Sequence, residues 1–398
     1  MFSTNSQRLL LLLLNKIYII SQSQGEKMKF NFDRNTMINE ILIAQEVIST
    51  KSALSILSNV LFIAKDNSLI IKATDIKINF ETKIPIEIEE EGAITVFCDK
   101  LIGILSSLPE GEIQFDLQKK DNLTMAVIKH LTRKIKFQLK CMSEDKFPEF
   151  PDTKEISFFD IPSKDLKTMI TQTYFAVSNE EARFFMNGVY FEKKNENFIL
   201  VATDGRRLSF ASKKFEEPIS DFPPAIVHPK VLNIVAKHAP NEGNISIAVI
   251  DKTIFFRFLN YELSSALLEG QFPNYERVIP EKQLYNFQVQ KNDLIDALKR
   301  TSIMLDKKSE RLFFKISPGI LSVTSQETDL GDANEEIPCQ YNGEETTIAM
   351  NYRYVEEPLK VINSNDVIFE FTGTMKAVTL RSEPKEDNFH IIMPMQMT

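Results

Sequence analysis

The chain has 398 residues, 43% of them hydrophobic and 26% charged, with a formal net charge of −8. This composition is globular and excludes a mostly disordered chain, and the length predicts two or three domains. No apolar run reaches the roughly 18 residues that span a bilayer, which excludes a polytopic membrane protein. The three cysteines, Cys98, Cys141 and Cys339, are odd in number and far apart. We therefore expect three buried thiols in a reduced, cytoplasmic protein rather than a disulfide scaffold.

The first 27 residues differ from the rest, since Leu9 to Leu14 are six consecutive leucines. Asn15 and Lys16 break the apolar run, and no small-residue cleavage site follows, so a signal peptide is disfavoured. Met28 then opens a segment that reads as a natural start. We interpret residues 1–27 as a disordered leader or an artefact of start-site choice, and they do not enter the fold prediction.

Three kinds of segment recur along the chain. The first kind carries apolar residues at i, i+4, i+7 and i+11, the stripe of an amphipathic helix. Its copies begin at Asp33, Pro162 and Gln290. The second kind reads as a helix, a turn of Pro, Asn, Gly or Ser, and an alternating strand. Its copies begin at Cys98, His228 and Asn351.

In the third copy of the second kind, Pro358 is expected to kink the helix or delay its start. The third kind of segment begins with Ala-Thr-Asp at Ala73 and at Ala202, and a less similar copy begins at Thr324. The remaining sequence is strand-like, so each unit is predicted to hold two helices and about eight short strands.

These repeats predict an α+β protein of three repeated domains. The boundaries fall at two Pro-bearing stretches, FPEFPD at 147–152 and FPNYERVIP at 272–280. The predicted domains are residues 28–151, 152–281 and 282–398.

The polar faces of the six predicted helices carry cations on a net acidic chain. These cations could contact the phosphates of a nucleic acid regardless of its base sequence, or they could simply lie on solvated helix faces. Composition leaves both interpretations open. The cations are Lys51, Lys100, Lys164, Lys167, Lys230, Lys237, Lys299, Arg300 and Arg353.

Motifs for catalysis are absent from the sequence. There is no phosphate-binding glycine loop, no CxxC pair and no HExxH, and the four histidines are scattered. The acidic stretch at 328–336 lacks the ligand spacing of a calcium loop. We therefore predict a binding or scaffold protein with no cofactor and no metal, rather than an enzyme.

Four motifs together resemble one family. They are ATDGRRL at 202–208, FPNYERVIP at 272–280, LPEG at 108–111 and the terminal IIMPMQMT. From Met28 to Thr398 the chain is similar to the bacterial DNA polymerase III beta subunits, the sliding clamps. The resemblance implies a head-to-tail homodimeric ring of six clamp domains with pseudo-sixfold symmetry. Helices would line its inner surface, and it would enclose double-stranded DNA to make synthesis processive.

The resemblance also implies the partners. They are the polymerase III alpha subunit, the clamp loader and other clamp-motif proteins of replication and repair, which insert a short hydrophobic peptide between the second and third domains. The matching pocket residues are Met169, Thr203, Gly205, Arg206, Arg207, Leu208, Pro273, Arg277, Val278, Asn351, Tyr354, Met375, Ala377, Ile391, Ile392, Met393, Pro394, Met395 and Gln396. Without the resemblance, Met393 and Met395 would read as a terminal strand packed on the core.

The subunit interface implied by the resemblance joins the first domain to the third. Phe137 and Leu139 match one side of it, and Ile303 and Met304 match the other, although intradomain core positions would read the same way. Arg206 and Gln396 depart from the side chains common in the family. Two alternatives stay open: a repeat scaffold that binds only proteins, and a β-rich hydrolase for which the sequence offers no carboxylate pair.

Overall fold

The computed structural model describes residues 27–48, 55–120, 123–305 and 310–397. The predicted leader, apart from Lys27, and the proposed DNA-facing Lys51 lie outside these ranges. Among the described residues, no helix has both the length and the apolar character needed to cross a membrane.

The first repeat begins with a strand that runs directly into a helix. Asp33 caps that helix, because its carboxylate accepts a 2.8 Å hydrogen bond from the backbone N of Thr36. The described elements are β1 (Lys29–Asp33), α1 (Arg34–Val47), β2 (Asn59–Lys65), β3 (Ser68–Thr74), β4 (Ile78–Pro85), β5 (Glu87–Glu90), β6 (Gly92–Phe97), α2 (Cys98–Ser107), β7 (Glu112–Lys120), β8 (Leu123–His130) and β9 (Lys136–Met142).

The second repeat follows the same order of elements, except that four described strands instead of five separate its two helices. Its second helix is capped by His228, whose Nδ1 accepts from the backbone N of Lys230, with Pro229 at the first helical position. The elements are β10 (Phe159–Pro162), α3 (Ser163–Thr173), β11 (Val189–Lys194), β12 (Asn197–Thr203), β13 (Arg207–Lys214), β14 (Ala225–Val227), α4 (Pro229–His238), β15 (Asn244–Ile250), β16 (Thr253–Phe258) and β17 (Tyr261–Ala266).

The third repeat again has two helices, and Asn351 caps the second by accepting from the backbone N of Arg353 at 2.9 Å. The elements are β18 (Tyr285–Gln290), α5 (Lys291–Thr301), β19 (Arg311–Ser317), β20 (Ile320–Ser325), β21 (Asn334–Gln340), β22 (Thr346–Asn351), α6 (Tyr352–Val361), β23 (Asp366–Phe371), β24 (Val378–Glu383) and β25 (Asn388–Ile392).

The delayed helix start that was one of the two effects predicted for Pro358 does not occur. Helix α6 runs from Tyr352 to Val361 with Pro358 inside it, and the backbone N of Ile362 still bonds to the Pro358 carbonyl at 3.0 Å. Proline lacks the N–H that would bond to the carbonyl four residues earlier, but the carbonyl of Pro358 itself still accepts a bond. The Asn351 cap fixes the start of the helix, and the buried Pro358 and Leu359 hold its far end against the core.

The described residues form two compact units, which we describe separately. In the first unit, the residues up to Phe158 are joined by the hairpin β16–β17, and β17 pairs antiparallel with β4. In the second unit, Phe159–Lys252 and Leu267–Thr398 share one sheet in which β13 pairs antiparallel with β25. Each pairing joins strands from two different repeats.

The cores are filled by phenylalanine and aliphatic residues, as the composition predicts. Phe30 stacks on Phe115 in the first repeat, and Phe287 stacks on Phe369 in the third. The cysteines agree in part with the prediction. Cys98 and Cys339 are buried, and burial raises the pKa of the Cys98 thiol to about 12, whereas Cys141 is only partly buried.

Candidate functional site

Three neighbouring strands of the second unit meet at one end, where most of the predicted pocket lies. Arg207 begins β13 and pairs with Ile392 at the end of β25, and Ile392 also pairs with Val378 at the start of β24. The backbone N of Met393 donates to the carbonyl of Arg206 at 2.9 Å. The ATDGRRL turn, the terminal segment and the start of β24 are therefore adjacent.

The turn before β13 is shaped by its own side chains. The Asp204 carboxylate accepts from the backbone N of Arg206 at 2.9 Å and of Arg207 at 3.0 Å. The Thr203 hydroxyl donates to the Arg207 carbonyl at 2.6 Å. Gly205 takes a φ of 85°, the left-handed region in which glycine has no steric penalty. These bonds hold Arg206 at the tip of a rigid turn.

Arg207 is held inside the molecule and is poorly placed to bind a partner. Its guanidinium donates to Asp204 at 3.0 Å, to Glu357, and to the Phe175 carbonyl at 2.7 Å, and it lies 4.6 Å from the ring centre of Tyr354. Only 11% of the side chain is exposed. Arg207 therefore fixes α6 against the turn, which places Tyr354 beside Arg206.

An apolar cluster lies beneath this end of the sheet. Leu208 and Ile391 belong to its buried part, and Ala377 packs against it together with Ile279. Three predicted residues stand exposed around it: Val278 at 48%, Met375 at 54% and Met393 at 42%. We call the surface formed by Arg206, Arg277, Val278, Met375, Lys376, Ala377 and Met393 the mouth.

The terminal segment runs away from the mouth along the third repeat. The backbone N of Met395 donates to the Ala349 carbonyl at 2.7 Å, and Arg311 donates to the Gln396 carbonyl at 2.7 Å. Gln396 is thus held through its backbone, and its side chain is exposed. Asn351 acts through its cap, which orients the helix that carries Tyr354.

Two predicted pocket residues are not exposed at the mouth. Met169 is 3% exposed inside α3 and lies outside the cluster that contains Leu208 and Ile391. Pro273 is partly covered, in the segment between the buried cluster residues Phe272 and Tyr275. Sequence reasoning missed Arg183, whose guanidinium lies against Gly205, and Lys376 at the mouth.

His390 lies below the turn and is fully buried. Its Nδ1 is 2.9 Å from the Ser209 hydroxyl, and its Nε2 has no hydrogen-bond partner among the described residues. Burial lowers the pKa of His390 from 6.5 to about 3, and the Arg207 guanidinium acts in the same direction. The imidazole is therefore neutral at physiological pH.

The helix cations separate into engaged and free groups. Lys167 donates to the Ala239 carbonyl at 2.7 Å and to Asn241 at 2.8 Å, so it ties α3 to the end of α4. Arg300 pairs with Glu335, and Arg353 pairs with Glu310. Lys230 and Lys237 also make contacts within the chain. Lys100, Lys164 and Lys299 are exposed, and within the described ranges no acidic side chain pairs with them.

The predicted interface residues lie on or near two partly open strand edges. Phe137 and Leu139 are half-buried on β9, which pairs with β6 only through Cys141 and Met142. Ile303 is 78% exposed, and Met304 lies against Gly331 in the turn before β21. That turn also exposes 90% of Leu330, a residue that sequence reasoning missed because a lone leucine in an acidic loop gives no signal.

Comparison with known families decides what this arrangement is. Family models of the N-terminal, central and C-terminal domains of the DNA polymerase III beta subunit match residues 28–151, 160–274 and 276–396. The chain belongs to the DNA polymerase III beta subunit family. The beta sliding clamp of Treponema pallidum is 45% identical over 373 residues, which cover 93% of this chain and 100% of that relative.

Other sliding clamps agree in sequence and in structure. The relative from Pseudomonas aeruginosa is 26% identical, covering 93% of this chain and 100% of its own length. A crystal structure of the Pseudomonas aeruginosa clamp bound to griselimycin matches with a TM-score of 0.85 and 25% identity over 93% of this chain and 100% of that one. The C. crescentus clamp matches with a TM-score of 0.87 and 25% identity, over 94% and 100%.

Family membership confirms the main predictions. The chain is built of three sheet-rich clamp domains, in a family whose members form a dimeric ring. It is a DNA sliding clamp, a non-catalytic processivity factor that binds DNA, itself and clamp-binding partners. The protein-only scaffold and the hydrolase are set aside. The individual site residues stay predictions.

Proposed function

We propose that two copies of this chain close head to tail through β9 of one copy and β21 of the other, so that the ring encircles duplex DNA. The observation that carries this proposal is the pairing pattern of the repeats. Strand β4 of the first repeat pairs with β17 of the second repeat. In the same way β13, the equivalent of β4 in the second repeat, pairs with β25 of the third repeat. Within the described residues, two of the equivalent strands have no partner from another repeat. They are β21, the equivalent of β4 in the third repeat, and β9, the equivalent of β17 in the first repeat.

The edges of these two strands are open over matching lengths. Within the described part of the chain, Lys136–Lys140 of β9 pair only with β8, and Asn334–Pro338 of β21 pair only with β20. An open edge offers unpaired N–H and C=O groups to another strand. A second copy of the chain is the partner that supplies the complementary edge.

The repeats also set the register of this pairing. Thr324, Lys72 and Val201 each lie four residues after the first residue of their strand. Asn334 pairs with Thr324 as Glu81 pairs with Lys72 and Phe210 with Val201. In this role Glu81 pairs with Glu262, and Phe210 pairs with Phe389.

The counterpart of Phe389 in β9 is Lys136, because His390 corresponds to Phe137. Phe369 pairs with Leu380, which pairs with His390, just as Phe115 pairs with Ile128, which pairs with Phe137. Lys136 of one copy should therefore face Asn334 of the other. The same register places Gln138 opposite Asp332 and Lys134 opposite Glu336, so an exposed cation meets an exposed carboxylate.

Charge reversal tests the interface. Opposite charges placed directly across two strands are favourable and like charges are unfavourable. Glu336→Lys is expected to give monomers, Lys134→Glu is expected to do the same, and the two changes in one chain are expected to restore the dimer. Sedimentation velocity measures the outcome, with Lys315→Glu on β19 as the control. A dimer unaffected by either single reversal would contradict the proposed register.

The ring serves as a mobile tether for other proteins. We assign the mouth and the apolar cluster beneath it to short hydrophobic peptides of the polymerase III alpha subunit, the clamp loader and other clamp-motif proteins. Flexible methionines such as Met375 and Met393 suit a surface that accepts several partners. DNA replication places the protein in the cytoplasm.

The DNA contacts are assigned to the free helix cations. Lys100, Lys164 and Lys299 can reach phosphates without losing an internal partner, and such contacts carry no sequence information. The domain boundaries at 151 and 281 stay a proposal, supported by family models that end at 151 and 274 and resume at 160 and 276.

A further inference from the structure

Four cations surround the mouth and have no ion-pair partner among the described residues. They are Arg206, Arg277, Lys282 and Lys376, and all four are exposed. Arg206 follows the turn before β13, and its carbonyl accepts from the backbone N of Met393. Lys376 precedes β24, and Lys282 lies beside it, because Gln283 donates to the Ala377 carbonyl at 3.3 Å.

The fourth cation lies on the segment that covers the apolar cluster. Arg277 belongs to the 3-10 helix Tyr275–Val278, whose Tyr275 is buried in the cluster and whose following residue, Ile279, packs against it. Neighbouring strands are about 4.8 Å apart, and β25 lies between β13 and β24, so the long side chains of Arg206 and Lys376 start about two strand spacings apart and can reach one common ligand. The cations thus stand around the exposed side chains of Val278, Met375 and Met393.

The nearby carboxylates neutralise only a small part of this charge. Asp204 and Glu357 are both bound to Arg207, and Glu276 is bound to Lys194. Glu281, beside Lys282, reduces the formal charge of the four cations from +4 to +3. A local excess of positive charge on a chain of net charge −8 is a complementary surface for an acidic ligand.

We propose that the mouth selects partner peptides in which carboxylates flank the hydrophobic anchors. This inference rests on the proposed peptide pocket and names the chemistry of its ligand. A peptide fits better than a nucleic acid, because exposed apolar side chains lie among the cations. A phosphate backbone has no apolar groups that could pack against them. The flanking charges would add orientation and speed of association to the affinity that the apolar anchors supply.

Three labelled peptides test the proposal by fluorescence polarisation. Each has a Leu-Leu-Phe centre, flanked on both sides by three Asp, three Ser or three Lys residues. We expect affinity to fall in that order, with about tenfold between the Asp and Lys peptides at low salt, since exposed charge pairs are individually weak. The difference should shrink at 0.5 M NaCl, where the Debye length is only a few ångströms.

A paired variant identifies the cations. Arg206→Gln with Lys376→Gln is expected to lower affinity for the Asp peptide several-fold and leave the Ser peptide unchanged. Lys315→Gln, a change to an exposed cation of β19 that pairs with Glu345, is the matched control and should change neither. Equal binding of the Asp and Lys peptides, or an inert double variant, would overturn the charge selection while leaving the pocket standing.

Two further outcomes separate the inference from the pocket beneath it. If none of the three peptides binds to correctly folded dimer, the peptide pocket itself is wrong, and the inference falls with it. If the double variant loses affinity for labelled duplex DNA and keeps its affinity for the Asp peptide, the cations belong to DNA binding, and the proposal is overturned.

Discussion

At the scale of single residues, His390 illustrates how burial sets a charge state. The ring lies within the β13–β25 pairing, beside Ser209 and 5.7 Å from the ring of Phe175, where no solvent reaches it. Burial lowers the pKa of His390 to about 3, whereas an unfolded chain gives histidine a pKa of about 6.5. Protonation therefore favours the unfolded state between these two values.

This difference in pKa predicts how stability depends on pH. Below pH 6.5 the unfolded state binds a proton that the folded state does not, so the free energy of unfolding falls as the pH falls. From pH 7.5 to 5.5 the loss due to this residue should be about 1.4 kcal/mol. Urea unfolding at both pH values, compared with His390→Gln, measures it. An equal loss in the variant would contradict the assignment.

Ile76 predicts a second effect on stability. It occupies the position that Gly205 holds in the next repeat, with a φ of 80° against 85°, and its side chain is 62% exposed. A left-handed conformation costs a residue with a Cβ about 1–2 kcal/mol, and asparagine tolerates it better. Ile76→Asn should therefore raise the free energy of unfolding by about 1 kcal/mol.

Thermal or urea unfolding of the whole chain measures this gain. The control is Ile320→Asn, because Ile320 is also exposed but lies within β20 at an ordinary φ. The control should be neutral or destabilising. If Ile76→Asn is no more stable than the control, Ile76 is not strained.

Sequence reasoning identified ATDGRRL but could not assign roles within it. Arg206 and Arg207 are adjacent and chemically identical, yet Arg207 is enclosed by Asp204, Glu357 and Tyr354 while Arg206 is exposed. The difference depends on α6, which begins about 150 residues later. Tertiary contacts of this kind leave no local pattern in a sequence.

At the scale of elements, the amphipathic stripes predicted the helices well. Met37, Ile41 and Ala44 are buried on α1, and Leu294 and Leu298 are buried on α5, as the spacing required. The helical cations were less predictable. Periodicity indicates which face of a helix is polar, but it does not reveal that Lys167 donates a hydrogen bond to a carbonyl at the end of the next helix.

This division among the cations gives a prediction for DNA binding. The salt dependence of affinity scales with the number of phosphates that a protein neutralises, by about 0.9 in the logarithmic slope for each. Replacing Lys100, Lys164 and Lys299 by Ala should weaken binding to duplex DNA and reduce this slope by up to about 3 for each of the two subunits.

Titration with labelled duplex DNA at several salt concentrations measures the slope. Lys167→Ala is the matched control, since Lys167 lies on α3 with Lys164 but is bonded within the chain. It should leave the slope unchanged. A slope that responds to Lys167 and not to the three free lysines would contradict the assignment.

At the scale of the whole molecule, the threefold repeat and the family were predictable from sequence. Self-similarity and four short motifs are local patterns, and they gave three units of two helices each. The strand edges were not predictable, because pairing partners such as β4 and β17 are about 180 residues apart in the chain. The proposal that β9 and β21 match each other therefore depends on the pairing observed in the structure.

The central claim is that the chain holds DNA by topology. The direct test loads residues 28–398 onto nicked circular DNA with a clamp loader and ATP, and then raises the salt concentration. A closed ring should stay on the circle at a salt concentration that abolishes electrostatic binding, and it should leave once the circle is cut. Loss from the intact circle at high salt, with a control clamp retained, would contradict the account.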